Sequence, residues 1–97
     1  MIRQITLIRF KSDTVEADIR EMNSGFLQLR NVVPGIKRFE FGPDLELEDA
    51  TLDYALVIDF DSVNDWKSYR AHPDHAAFAK KCLPLIEQVE RVQYRID

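Results

Sequence analysis

Tyr54-Ala55-Leu56-Val57-Ile58-Asp59-Phe60 is the stretch on which the fold turns. Its aromatic and branched residues mark a strand, and both pleat faces are apolar: Tyr54, Leu56, Ile58 and Phe60 share one side, Ala55 and Val57 the other. The first strand, Ile2 to Phe10, has the same property, with Gln4, Thr6, Ile8 and Phe10 opposing Ile5 and Leu7. Phe39 and Phe41 line one side of a strand that starts at Ile36 and is ended by Gly42-Pro43. Val92, Tyr94 and Ile96 alternate with Gln93, Arg95 and Asp97 as a last strand. A sheet that is apolar front and back requires two covers.

Helices supply one of them. Val15, Ile19, Met22, Phe26, Leu29 and Val33 alternate spacings of four and three, the mark of one helical face. Asp13 followed by Glu16 resembles a capping box at its start, and Val33-Pro34-Gly35 stops it. Gly25 inside this helix costs about 1 kcal/mol relative to alanine and points to a close backbone approach. Ser62 with Asp65 caps a short helix through Val63, Trp66 and Tyr69; another begins at Pro73 and is broken at Pro84. The order is βαββαβ, an α+β class with a ferredoxin-like layer of helices over one antiparallel sheet. The uncovered face, several hundred Å² by the scale of such patches, is predicted to pack on a second copy with the sheets about 10 Å apart. The expected assembly is a homodimer through sheet faces.

The composition sets bounds. At 97 residues the chain reads as one domain, 1–97, and its 45% hydrophobic and 31% charged content is that of a folded globular protein. A net charge of -4 with no basic block argues against nucleic-acid binding. No apolar stretch nears the roughly 20 residues of a membrane span, and Met1 to Ile5 reads as strand rather than signal peptide, so a cytoplasmic location is expected. The single cysteine, Cys82, cannot form an internal disulfide or, with two histidines, a zinc site; it reads as a small apolar helix residue. The acidic loop from Asp44 to Asp53 (Asp44, Glu46, Glu48, Asp49, Asp53) lacks the order of a calcium loop and reads as solvated, so no metal is expected. Gly-rich phosphate loops, nucleophile elbows and Cys/His nucleophile spacings are absent from the sequence, and no cofactor is expected.

Both histidines fall within Tyr69-Arg70-Ala71-His72-Pro73-Asp74-His75-Ala76-Ala77-Phe78. Starting a helix at Pro73 puts His75, Phe78, Ala79, Cys82 and, past the proline, Ile86 on one apolar stripe, with Asp74, Lys80 and Lys81 toward water. His75 therefore faces inward, where burial keeps it neutral and suits either a structural hydrogen bond or a general base. His72, held out of the helical region by Pro73, caps the helix or closes a turn, or contacts a ligand. Tyr69 either aims its phenol at the interior that His75 faces or packs its ring with the hydroxyl wet. Trp66 reads as core.

The segments Ile5 to Lys11, Val33-Pro34-Gly35-Ile36, Tyr54 to Phe60 followed by Asp61-Ser62-Val63, and above all Tyr69 to Phe78 resemble the stress-responsive A/B barrel family, also called Dabb, over nearly the whole chain. The resemblance implies a ferredoxin-like protomer paired through its sheet into a dimeric α/β barrel. It also implies a cavity between sheet and helices, walled by Gln4, Thr6, Ile8, Met22, Phe26, Leu56, Phe78 and Ile86. The family includes plant stress-stability proteins and polyketide cyclases in which a tyrosine and a histidine of this motif do the chemistry; the matching positions are Tyr69 and His75. Gln4 and Tyr54 stand where those cyclases carry further histidines, which implies a different substrate. Three readings follow from it. One is cofactor-independent acid/base chemistry, aldol or cyclase-like, with His75 as base and Tyr69 hydrogen-bonding the developing oxyanion. Another is a non-enzymatic small-molecule-binding or stability module whose pocket is filled by Phe26, Phe78 and Trp66. The third is a haem-binding or monooxygenase-like barrel with His75 as axial ligand.

Overall fold

The computed structural model describes residues 1–49 and 51–96. Strand β1 (Ile2–Phe10) leads into helix α1 (Glu16–Val32), then β2 (Ile36–Pro43), β3 (Tyr54–Phe60), α2 (Val63–Ala71), α3 (Pro73–Cys82), a 3₁₀ turn at Leu83–Leu85 and β4 (Ile86–Arg95). The sheet order is β2-β3-β1-β4, antiparallel throughout. This is the ferredoxin-like βαββαβ arrangement expected from the order of elements.

Pleat alternation decides the layers. Ile2, Gln4, Thr6, Ile8 and Phe10 of β1 and Tyr54, Leu56, Ile58 and Phe60 of β3 are buried beneath the helices, which contribute Met22, Phe26 and Leu29 from α1, Tyr69 from α2 and Cys82 from α3. Phe26 is the hub, its ring 5.9 Å from that of Phe39, 5.3 Å from Phe41, 6.1 Å from Tyr54 and 4.8 Å from Phe78. Aromatic pairs of this kind add about 0.5–1.5 kcal/mol each beyond the area they bury.

Gly25 is where α1 meets α3. A Cβ built there would lie 1.9 Å from Cε2 of Phe78, so only glycine lets that ring approach Phe26. Gly25→Ala gains about 1 kcal/mol of helix propensity against about 1–3 kcal/mol of overpacking. The expected result is a lower urea midpoint; an unchanged or higher midpoint would show that the Phe78 ring moves freely. At the other end of α1, Gly35 turns the chain at φ 82 and accepts the Asp61 N–H at 3.2 Å.

The elements depart from the sequence reading at three points. Helix α1 is capped at Val15, whose N–H is taken by the Asp18 carboxylate at 3.2 Å, and not at Asp13. Ile86 begins β4 instead of continuing the helical stripe, because the chain leaves the 3₁₀ turn directly into pairing with Phe10. Strand β4 ends at Arg95, with the Ile96 N–H bonded to the Met1 carbonyl. Ala50, inside the acidic loop, and Asp97, placed above in the last strand, lie outside the described residues.

The other sheet face carries a row Val57, Ile5, Val92 across β3, β1 and β4, and beside it Asp59, Arg3, Tyr94. Arg3 grips Asp59 with two bonds of 2.7 and 2.9 Å, and Arg38 adds a contact at 3.5 Å. The Arg3 guanidinium holds the Asp59 carboxyl below its usual value. No helix among the described residues is long and apolar enough to cross a membrane.

Candidate functional site

The helix-start sequence builds the site. Ser62 caps α2 by accepting the Asp65 N–H at 3.2 Å, and α2 delivers Tyr69 on its inward side. His72 ends α2 and caps α3, its Nδ1 accepting the Asp74 N–H at 3.1 Å, while Pro73 occupies the first turn, where its missing N–H costs nothing. One turn into α3, His75 meets Tyr69 with ring centroids 4.4 Å apart at 54°.

These two rings face a cavity of about 90 Å³ roofed by the helices and floored by the sheet. Gln4, Thr6, Ile8, Met22, Phe26, Leu56, Phe78 and Ile86 line it together with Tyr69 and His75, and so do Arg70, Cys82 and Arg91. His72 does not line it; its ring is spent on the cap. A larger open groove of about 630 Å³ runs between α1 and α3 and shares the Met22, Phe78 and Cys82 wall. Neither His75 nor Tyr69 lines it.

Electrostatics separate the two candidate groups. Burial depresses the proton affinity of His75, and the Arg70 charge adds to the effect; the Arg70 backbone works against it, and Arg91 and His72 lower it further. The imidazole is thus neutral at pH 7. Its Nδ1 is buried without a hydrogen-bond partner, as is Thr6 Oγ1. Tyr69 is only 2% exposed, and burial pushes its phenol up to about 12 despite Arg70 and Arg91. A neutral base therefore sits against a phenol that keeps its proton.

Gln4 is fixed from two sides. Trp66 Nε1–H donates to its Oε1 at 2.8 Å and Gln93 Nε2 at 2.9 Å, which leaves the amide NH2 as the end available to a ligand. Trp66 is half-buried and serves this anchor instead of filling the cavity. Tyr54 donates its hydroxyl to Asn23 Oδ1, and burial raises its pKa. The buried thiol of Cys82 is pushed up to about 11, so it stays protonated and packs as an apolar group. In the acidic loop, Asp53 accepts the Phe10 N–H at 2.9 Å. Among the described residues no three His, Cys, Asp or Glu side chains converge as a metal site.

Sequence reasoning passed over Arg70 and Arg91. Arg91 was legible in principle, because if Val92 and Tyr94 share the outer face, Arg91 must point beneath the helices, as its pairing with buried Thr6 makes it do.

Comparison with known proteins places this geometry among relatives. The family described as "Stress Responsive A/B Barrel Domain" (Dabb) matches residues 2–96. Olivetolic acid cyclase of Cannabis sativa is 25% identical over 79 residues, covering 79% of this chain and 78% of the cyclase. The solved hydroxynitrile lyase from Passiflora edulis superposes with a TM-score of 0.88 at 28% identity, covering 99% of this chain and 93% of the lyase. A dimeric ferredoxin-like protein of unknown function from Thermobifida fusca gives a TM-score of 0.91 at 28% identity, covering 98% of this chain and 90% of that one.

Proposed function

Because the chain belongs to the stress-responsive A/B barrel family, we infer that it is a homodimeric, cofactor-independent enzyme of the lyase or cyclase type, acting by acid/base chemistry on a small carbonyl compound. The observation that carries this reading is a neutral His75 in ring contact with the protonated phenol of Tyr69, both lining one cavity. In the proposed step the imidazole takes a proton from the carbon next to the carbonyl. The C–H electron pair moves toward the carbonyl oxygen, and the Tyr69 O–H donates a hydrogen bond to the negative charge that builds there. The resulting enolate carbon then attacks a second carbonyl carbon, the electron pair of that C=O moves onto its oxygen, and the His75 imidazolium returns its proton to the alkoxide so formed. Gln4, anchored by Trp66 and Gln93, orients the ligand's polar end, while Ile8, Phe26, Leu56, Phe78 and Ile86 exclude water around it. A cyclase of related sequence and a hydroxynitrile lyase of related fold support the lyase-or-cyclase type.

The size of the cavity favours small ligands. At about 90 Å³ it falls well below the roughly 300 Å³ at which pockets begin to take drug-sized molecules, and a haem macrocycle does not fit it. The test is protein-dependent deuterium uptake: small ketones and oxo acids are incubated with the protein in D2O, and NMR follows the carbon next to the carbonyl. Uptake at the buffer rate across the set would remove the catalytic reading.

The dimer rests on the outer sheet face, where Val92 is 53% and Tyr94 41% exposed on one protomer. The Thermobifida fusca relative is described as dimeric.

A further inference from the structure

The charge of the cavity lining runs against that of the chain. Asp and Glu outnumber Lys and Arg by 17 to 13 in the sequence, yet the cavity is lined by two arginines and no acid. Arg70 comes from the last turn of α2 and Arg91 from β4, so two separate elements bring guanidinium groups to one opening. Both residues are exposed, which puts them at the mouth. Neither has a carboxylate partner among the described residues. Arg70 lies over the Trp66 ring at 6.0 Å, a contact that leaves its N–H edge free.

The two cations also act on each other. Partial burial lowers the proton affinity of Arg91, and the Arg70 charge lowers it further. A fold that holds two like charges at one opening, with nothing opposite between them, gains from a bound anion. Thr6, Tyr69 and His75 line the same cavity. The opening is therefore cationic and the lining includes polar side chains.

We propose that the ligand is a short oxo carboxylate, its carboxylate held at the mouth by Arg70 and Arg91 and its carbonyl carried inward to Tyr69 and His75. This rests on the carbonyl chemistry proposed above and adds the charge of the substrate. The cavity volume of about 90 Å³, well under the roughly 300 Å³ of pockets for drug-sized ligands, limits the chain to a few carbons. A carboxylate accepts paired N–H bonds from guanidinium, whereas an amide of the same shape presents a neutral oxygen and a donor that both arginines disfavour.

The probes are acetoacetate and its neutral isostere acetoacetamide, with binding followed by titration calorimetry. The wild-type protein is expected to bind acetoacetate about ten-fold or more tightly than the amide, with Arg91→Gln abolishing the preference and Arg70→Gln reducing it. Both side chains are exposed, so the variants keep the core. Equal affinity for the two probes, no binding of acetoacetate, or an Arg91→Gln loss that is the same for both would overturn the proposal. The two readings fail separately. A carboxylate preference without deuterium uptake removes the acid/base step and leaves the anion site. Uptake that depends on His75 without a carboxylate preference does the reverse.

Discussion

His75→Ala is expected to lower turnover of a carbonyl substrate by about 10²–10⁴-fold, the range a positioned general base supplies. Tyr69→Phe should cost about 10²–10³-fold, as loss of one oxyanion donor does. The second substitution is the cleaner one, because the phenylalanine ring keeps its packing against Phe60, 5.3 Å away, and only the hydroxyl is lost. If both groups act on one transition state, the double variant falls little below the worse single variant. The pH profile carries independent information. The proton affinity of His75 is depressed from 6.5, so kcat/KM should hold from neutrality downward and drop only on the acid side of 6.5. On the alkaline side Tyr69 keeps its proton up to about 12.

Stability follows the same groups with definite signs. For His75 the unfolded chain takes up a proton below 6.5 that the fold resists, so stability falls as pH drops from 6.5 toward the folded value. For Tyr69 the unfolded phenol ionises first, so stability is full below 10.0 and declines as pH rises from there toward about 12. His75→Gln should remove the first slope and Tyr69→Phe the second, measured as urea midpoints against pH. Variants that remain dimeric and folded yet turn over at the wild-type rate would mean that these rings only pack.

The order of elements was legible because periodicity reports burial directly. Met22, Phe26 and Leu29 recur at helical spacing and are the buried residues of α1. Boundaries were less so: Asp13 has the chemistry of a cap, but Asp18 reaches back to the Val15 N–H and moves the start into the chain. Glu87 and Gln88 hid the first turn of β4, since an edge strand with polar residues on both sides lacks the alternation that marks Val92 to Ile96. The apolar wall of the cavity could be anticipated from the strand faces and the resemblance, because Gln4, Thr6, Ile8 and Leu56 share the side buried by the helices. Its charge could not, as Arg70 and Arg91 are 21 positions apart in sequence and meet only when β4 returns beside β1. Gly25 was read as a close approach, and the Phe78 ring supplies the object approached.

Ile5→Glu is expected to convert the proposed dimer to a monomer. Ile5 is the middle of the row formed with Val57 and Val92 on the face away from the helices, and each row residue is apolar. Closing a second sheet over it at about 10 Å would bury a carboxylate from each copy, and the two-fold axis brings every substitution in twice. An unpaired buried charge costs several kcal/mol, so the dissociation constant should rise by more than about 10³-fold. The protomer survives, because Ile5 points away from Met22, Phe26 and Leu29, and on its own sheet face it is only half-buried. Sedimentation of the variant should give a particle near 11.3 kDa and of the wild type one of twice that mass. Wild-type protein that sediments as the smaller particle at high concentration, or a variant that stays paired, would mean that the exposed Val92 and Tyr94 serve some other contact. The same experiment bears on the site: the cavity is enclosed by one protomer's own sheet and helices, so a folded monomeric variant should still bind acetoacetate. Loss of that binding together with the dimer would mean that pairing holds β4, and with it Arg91, in place.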